Sequence, residues 1–91
     1  MAIPKQIKEN HILSAIEEIK NMVEIPKSRR SKKYFLKYNN DLYPPKYVIS
    51  IANKYALGYE LNPDAKVFNT NMAQNYLKDK GFIDIVKLEK K

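Results

Sequence analysis

Apolar residues recur at helical spacing between Gln6 and Glu24, where Ile12, Ile16, Ile19 and Val23 share a face and Glu17, Glu18, Lys20 and Asn21 fall on the others. This pattern predicts an amphipathic helix. Pro26 closes it, because proline removes a donor and holds the residue before it extended. From Lys27 to Lys33 no residue is apolar, so this stretch reads as an exposed loop or the mouth of a strand. Tyr34-Phe35-Leu36-Lys37-Tyr38 is rich in β-formers, Asn39-Asn40-Asp41 tolerates a turn, and Leu42-Tyr43 resumes the apolar character. A short β-hairpin follows from that order.

Pro44-Pro45 ends the hairpin and opens a second helix, since proline is favoured at the first helical position, where its missing N–H has no intrahelical acceptor. The helix is expected to run to Leu57, with Val48, Ile51, Ala52 and Tyr55 on one face and Gly58 as its C-terminal cap. After a loop that contains Asn62-Pro63-Asp64 and the apolar anchor Phe68, Asn69 or Thr70 can cap a third helix that turns Ala73, Tyr76 and Leu77 inward. Gly81 stops this helix, and Phe82 to Leu88 has the apolar content of a strand able to pair with the hairpin. The expectation is therefore one α+β domain over residues 1–91, with three helices and a small antiparallel sheet built from the hairpin and the C-terminal strand. Two helices joined by a loop beside such a sheet are compatible with a winged-type helix-turn-helix variant, although the 62–69 connection is longer than the usual turn.

Length and composition narrow this picture. Ninety-one residues supply surface for a single core. With no cysteine, neither disulfides nor thiolate zinc can hold it together. The N-terminal residues lack the apolar run of a secretory signal, and no stretch is long and apolar enough for a bilayer span. A cytoplasmic location with no membrane partner is the resulting expectation. The net charge of +7 is unevenly spread: residues 25–47 carry seven Lys and Arg against Asp41 alone, whereas residues 1–24 carry three Lys against four Glu. Such a block is the footprint of a polyanion binder, because each neutralised phosphate releases condensed counterions. Solubility is the competing explanation for the charge.

Catalytic chemistry is poorly represented. His11 is the lone histidine and lies just before the apolar series of the first helix, which suits a packed or partly exposed side chain. Glu17 and Glu18 are adjacent and so diverge on a helix. The carboxylates show no metal-ligand spacing, and two glycines cannot build a phosphate-cradling loop. No cofactor and no enzymatic activity are expected within these residues.

Binding chemistry is better supplied. Lys27, Arg29, Arg30, Ser31, Lys32 and Lys33, with Tyr43, Lys46 and Tyr47 across the hairpin, interleave cations for phosphates with rings that can stack. For each ring of Tyr34, Tyr38 and Tyr43 taken separately, packing of the sheet on the helices is the favoured role over base contact. At the third helix, Asn69, Thr70, Asn71, Gln74 and Asn75 form an amide-rich cluster, and Asn and Gln match an adenine edge. An ordinary N-cap followed by a solvated face is the alternative for this cluster.

Several strings of the chain also carry a resemblance. Ile3-Pro4-Lys5 ahead of an Ile/Leu-rich helix, Ile25-Pro26 with Arg30-Ser31, Tyr34 to Tyr38, and above all Leu42-Tyr43-Pro44-Pro45-Lys46-Tyr47-Val48-Ile49-Ser50-Ile51-Ala52 are the residues involved. Together they resemble the N-terminal head domain of ScoMcrA-type HNH restriction endonucleases and similar modules fused to other defence nucleases and helicases. Phe68 to Asn75, Leu77 and Gly81-Phe82 extend the match over nearly the whole chain. It departs at Asn69 and Thr70, where relatives often carry glycines, and at Asn40, where they carry a glycine in the hairpin turn. The resemblance implies a DNA-binding accessory domain of a restriction system, with nuclease or helicase action in a fused or partner domain; it carries no contact residues over. Duplex DNA is the expected partner, with a protein-interaction module or an RNA binder as the alternatives.

Overall fold

A computed structural model describes residues 3–4, 6–22, 34–61 and 68–87 of the chain. Its elements follow the order α1 (Glu9–Lys20), β1 (Tyr34–Tyr38), β2 (Asp41–Tyr43), α2 (Pro45–Leu57), α3 (Thr70–Asp79) and β3 (Ile85–Lys87). The α+β class, the three helices and the three-stranded antiparallel sheet are those expected from the sequence pattern. The sheet order is β2-β1-β3, so the hairpin and the C-terminal strand pair through β1. Leu36 stands opposite both Tyr43 and Ile85 in the two registers.

α1 is shorter than the predicted Gln6–Glu24 span. Ile3 and Ile7 are buried ahead of it, and the Ile7 N–H donates to the Pro4 carbonyl, so this segment turns before the helix begins. Lys8, extended at φ −114°, is the N-cap, and its N–H donates to Nδ1 of His11 at 2.9 Å. That bond satisfies a donor at the helix start and explains the place of the lone histidine. The predicted stop at Pro26 lies outside the described residues.

The hairpin turn puts Asn39 and Asn40 at φ 50° and 70°, with Tyr38 opposite Asp41. Two left-handed residues match the twist of a two-residue hairpin, and asparagine tolerates that region. α2 occupies its predicted span, with Pro44 as N-cap and Gly58 at φ 92° closing it. The predicted apolar face was too narrow: Tyr47, Val48, Ile49, Ser50, Ile51, Ala52 and Asn53 are all buried, because α1, α3 and β1 all pack against α2. Tyr55, expected inward, is 46% exposed. Its hydroxyl donates to Glu18 at 2.7 Å, and Lys54 Nζ donates to both oxygens of that carboxylate at 2.8 Å, so a polar clamp ties α1 to α2.

α3 ends in a Schellman arrangement. Phe82 N–H donates to the Leu77 carbonyl at 2.8 Å and Gly81 N–H to the Lys78 carbonyl at 3.1 Å, with Gly81 at φ 95°. Phe82 is then buried against the tilted ring of Tyr38, 5.8 Å between centroids. The C-terminal strand is accordingly shorter than the predicted Phe82–Leu88, because the first residues of that run link α3 to the sheet. Ile83, at 72% exposure, points away from the core. About twelve residues, 58–69, connect α2 to α3, where a helix-turn-helix uses three or four.

Candidate nucleic-acid interface

Phe68 positions the start of α3. It is fully buried, and Asn69 directly after it, at φ −114°, accepts the Met72 N–H on its Oδ1 at 2.8 Å. The Asn69 cap reads as expected, and Thr70 opens the helix. Ala73 and Leu77 are fully buried on the inner side, and the Tyr76 hydroxyl reaches the carbonyls of Ile7 at 2.6 Å and Pro4 at 3.1 Å. Burial pushes the ionisation of Tyr76 upward, so the hydroxyl stays protonated as the donor of this contact. α3 is thus fixed at its cap, along one face and at its end.

Its other face is polar. Asn71 and Asn75 are exposed, Gln74 is half-buried, and none of the three has a partner among the described residues. Lys78, which the sequence reading passed over, is also exposed. The signal for it is spacing: residues 71, 75 and 78 stand at i, i+4 and i+7, one line along a helix. Asp79 is exposed at the end of α3.

Lys46, the second residue of α2, holds its ammonium 5.2 Å from the centroid of Phe68. A cation over an aromatic face is attracted by the ring quadrupole. This contact brings the described end of the basic block to the residue before the α3 N-cap. Lys27, Arg29, Arg30, Ser31, Lys32 and Lys33 lie outside the described residues. Among the described residues eight lysines stand against seven carboxylates, so most of the net charge of +7 belongs elsewhere in the chain.

Tyr43 and Tyr47, expected as contact residues, are core residues instead, at 3% and 5% exposure. Tyr43 is the last residue of β2 opposite Leu36, and burial is the first cause of its raised ionisation. Tyr47 packs in the first turn of α2 and donates to the Met22 sulfur at 3.6 Å. Their rings fill the space between sheet and helices and are not available for stacking on a base. The burial of a tyrosine depends on its neighbours in space, and a basic-aromatic run in sequence does not report it.

An open groove lies at the C-terminal end of α3. Glu9 and Leu13 of α1, Lys37 and Tyr38 of β1, and Lys80 to Asp84 line its volume of about 290 Å³. Its parts come from opposite ends of the chain, so no local pattern announces it. Among the described residues no group of His, Cys, Asp or Glu could hold a metal, and no helix is long and apolar enough to cross a membrane.

The described residues form a small α+β module with exposed amides and a lysine on α3 and an open groove of mixed polar and apolar lining. The family model described as the ScoMcrA-like N-terminal head domain matches residues 5–85, and the chain belongs to that family. The resemblance seen in the sequence is therefore correct, and the matched part is a head domain, not a catalytic HNH domain. No curated protein and no solved structure matches the chain.

Proposed function

We propose that the chain is a non-catalytic module that binds duplex DNA and serves as an accessory or targeting domain for a nuclease or helicase in cis or in trans. The observation that carries this reading is the position of Lys46. Its ammonium rests over Phe68, next to the Asn69 cap, so a cation of the basic block and the amide-rich end of α3 stand together. Phosphates attract lysine, and an outward row of amides can follow a groove. In this reading Lys27, Arg29, Arg30, Lys32, Lys33 and Lys46 neutralise phosphates, Ser31 donates to one, and Asn69, Thr70, Asn71 and Asn75 face the groove. Membership in a head-domain family of restriction-type proteins supports a targeting role.

The test is a salt titration of binding to a mixed-sequence duplex. Log affinity falls linearly with log salt, with a slope of about −0.9 per phosphate engaged. Absence of binding at low salt overturns the reading. Competition by single-stranded DNA and by RNA then establishes which nucleic acid is preferred.

One observation favours protein docking as a second reading. Ile83, 72% exposed, and Leu13, 38% exposed, line the groove between α1 and the α3–β3 link together with Phe82 and the charged Glu9, Lys37, Lys80 and Asp84. Ile83→Glu distinguishes the two, because it abolishes capture of a protein partner and leaves duplex affinity unchanged.

A further inference from the structure

Resting on the duplex-binding reading, we infer that α3 is the sequence-reading element: Asn71 and Asn75 recognise adenine edges in the major groove while Lys78 engages the flanking phosphate backbone. Three independent features of the helix lead there.

The first is rigidity. Ala73 and Leu77 are fully buried, Asn69 caps the first turn, Tyr76 is bonded to the segment before α1, and the Schellman bonds close the end. A helix held at so many points presents its outer side chains in a preset direction, which lowers the ordering cost of a specific contact.

The second is a choice of residue that no contact among the described residues requires. Asn71 and Asn75 are exposed and have no partner among the described residues. Asparagine is a weaker helix former than alanine, lysine or glutamate, because its short amide competes for backbone groups. Two such residues on a solvent face weaken α3 without a compensating contact among the described residues. Where a local rule is broken with no structural gain, function is the expected reason.

The third is a match of chemistry and spacing. A carboxamide sets an acceptor beside a donor, the complement of adenine N6–H and N7 in the major groove. Residues four apart are separated by about 6 Å along the axis, roughly the length of two base-pair steps at 3.4 Å each. Lys78 continues the same line, and Lys46 lies over Phe68, the residue before the α3 N-cap. No carboxylate precedes Asp79 within α3, so the first two turns carry no charge that repels phosphate. Charge and donor pattern together single out duplex DNA as the occupant of this face.

The test is selection of duplexes from a random library by the full chain and by its Asn71→Ala and Asn75→Ala variants. The parent chain enriches adenine at two nearby positions. Each variant loses the preference at one of them, by about five- to 150-fold, and keeps it at the other. Replacing the selected adenine by 7-deazaadenine, which lacks the N7 acceptor, reproduces the loss in the parent chain. Lys78→Gln instead weakens all duplexes alike and lowers the salt slope by about one. Alanine favours the helix, so a thermal melt finds both Asn variants folded at least as stably as the parent. If salt-dependent duplex binding persists but no adenine is enriched, or the variants select the same sites as the parent, the inference fails and the binding reading stands. If no duplex binds at low salt, both fail together.

Discussion

At the scale of single residues, the chain spends polar groups on joining its elements. Glu18 accepts from Lys54 and Tyr55, and the bond from Lys54 is the main cause of its lowered pKa, with burial opposing. A carboxylate whose folded pKa is depressed contributes stability above its ordinary pKa and loses it as pH falls through the folded value. Lys54 is 38% exposed in this pair, so solvent screening keeps the contribution small. Glu18→Gln should cost less than about 1 kcal/mol near neutral pH. The gap between the two proteins should close on acidification below pH 4.5, the ordinary value for this group, as followed by urea melts across pH. Asn69 is the sharper case, because its Oδ1 satisfies a backbone donor that has no intrahelical acceptor. Asn69→Ala should lower stability by about 1 kcal/mol, read as a shift in the denaturation midpoint at constant m-value.

At the scale of elements, terminators do more than end helices. Gly58 closes α2 at φ 92°, its N–H on the Lys54 carbonyl, and aims the chain so that Asn53 Nδ2 reaches the Tyr59 carbonyl at 2.9 Å and Leu61 N–H the Ser50 carbonyl at 3.2 Å. An added Cβ at Gly58 meets no atom within 4 Å, so the cost of Gly58→Ala is conformational alone. It should be about 1–2 kcal/mol, the penalty for a left-handed L-residue, measurable by thermal denaturation. Tyr76 links α3 to the segment ahead of α1 across nearly seventy residues of sequence. Tyr76→Phe removes the donor for the Ile7 carbonyl and should destabilise the chain by about 1–2 kcal/mol, in an equilibrium urea melt. Both changes act on the frame that carries the candidate DNA face and leave its outward residues untouched.

At the scale of the whole molecule, net charge is unevenly distributed along the chain. The described residues are close to electrically balanced, and five of the chain's seventeen basic groups fall between Lys27 and Lys33. The amide-rich face of α3 therefore contributes selectivity in the proposed function, while the basic segment contributes affinity. Reversing Arg29 and Arg30 to Glu together should weaken binding to every duplex by a similar factor and flatten the salt dependence, since phosphate contacts carry no base information. A nitrocellulose-filter or fluorescence titration at two salt concentrations measures it. Unequal losses between sequences would place those arginines at base edges instead.

The amino-acid sequence by itself determined the element order, the hairpin with its Asn39-Asn40 turn, the Pro45 start and Gly58 stop of α2, the Asn69 cap and the family. Those features depend on neighbours along the chain: a period, a forbidden dihedral, a missing donor. Tertiary structure decided which tyrosines are buried, where α1 begins, how much of the C-terminal run is strand, and that Lys46 rests over Phe68. Each of these is settled by residues distant in sequence. Tyr47 and Tyr55 lie on the same helix, yet one is core and the other is exposed, with only its hydroxyl engaged by Glu18 of α1.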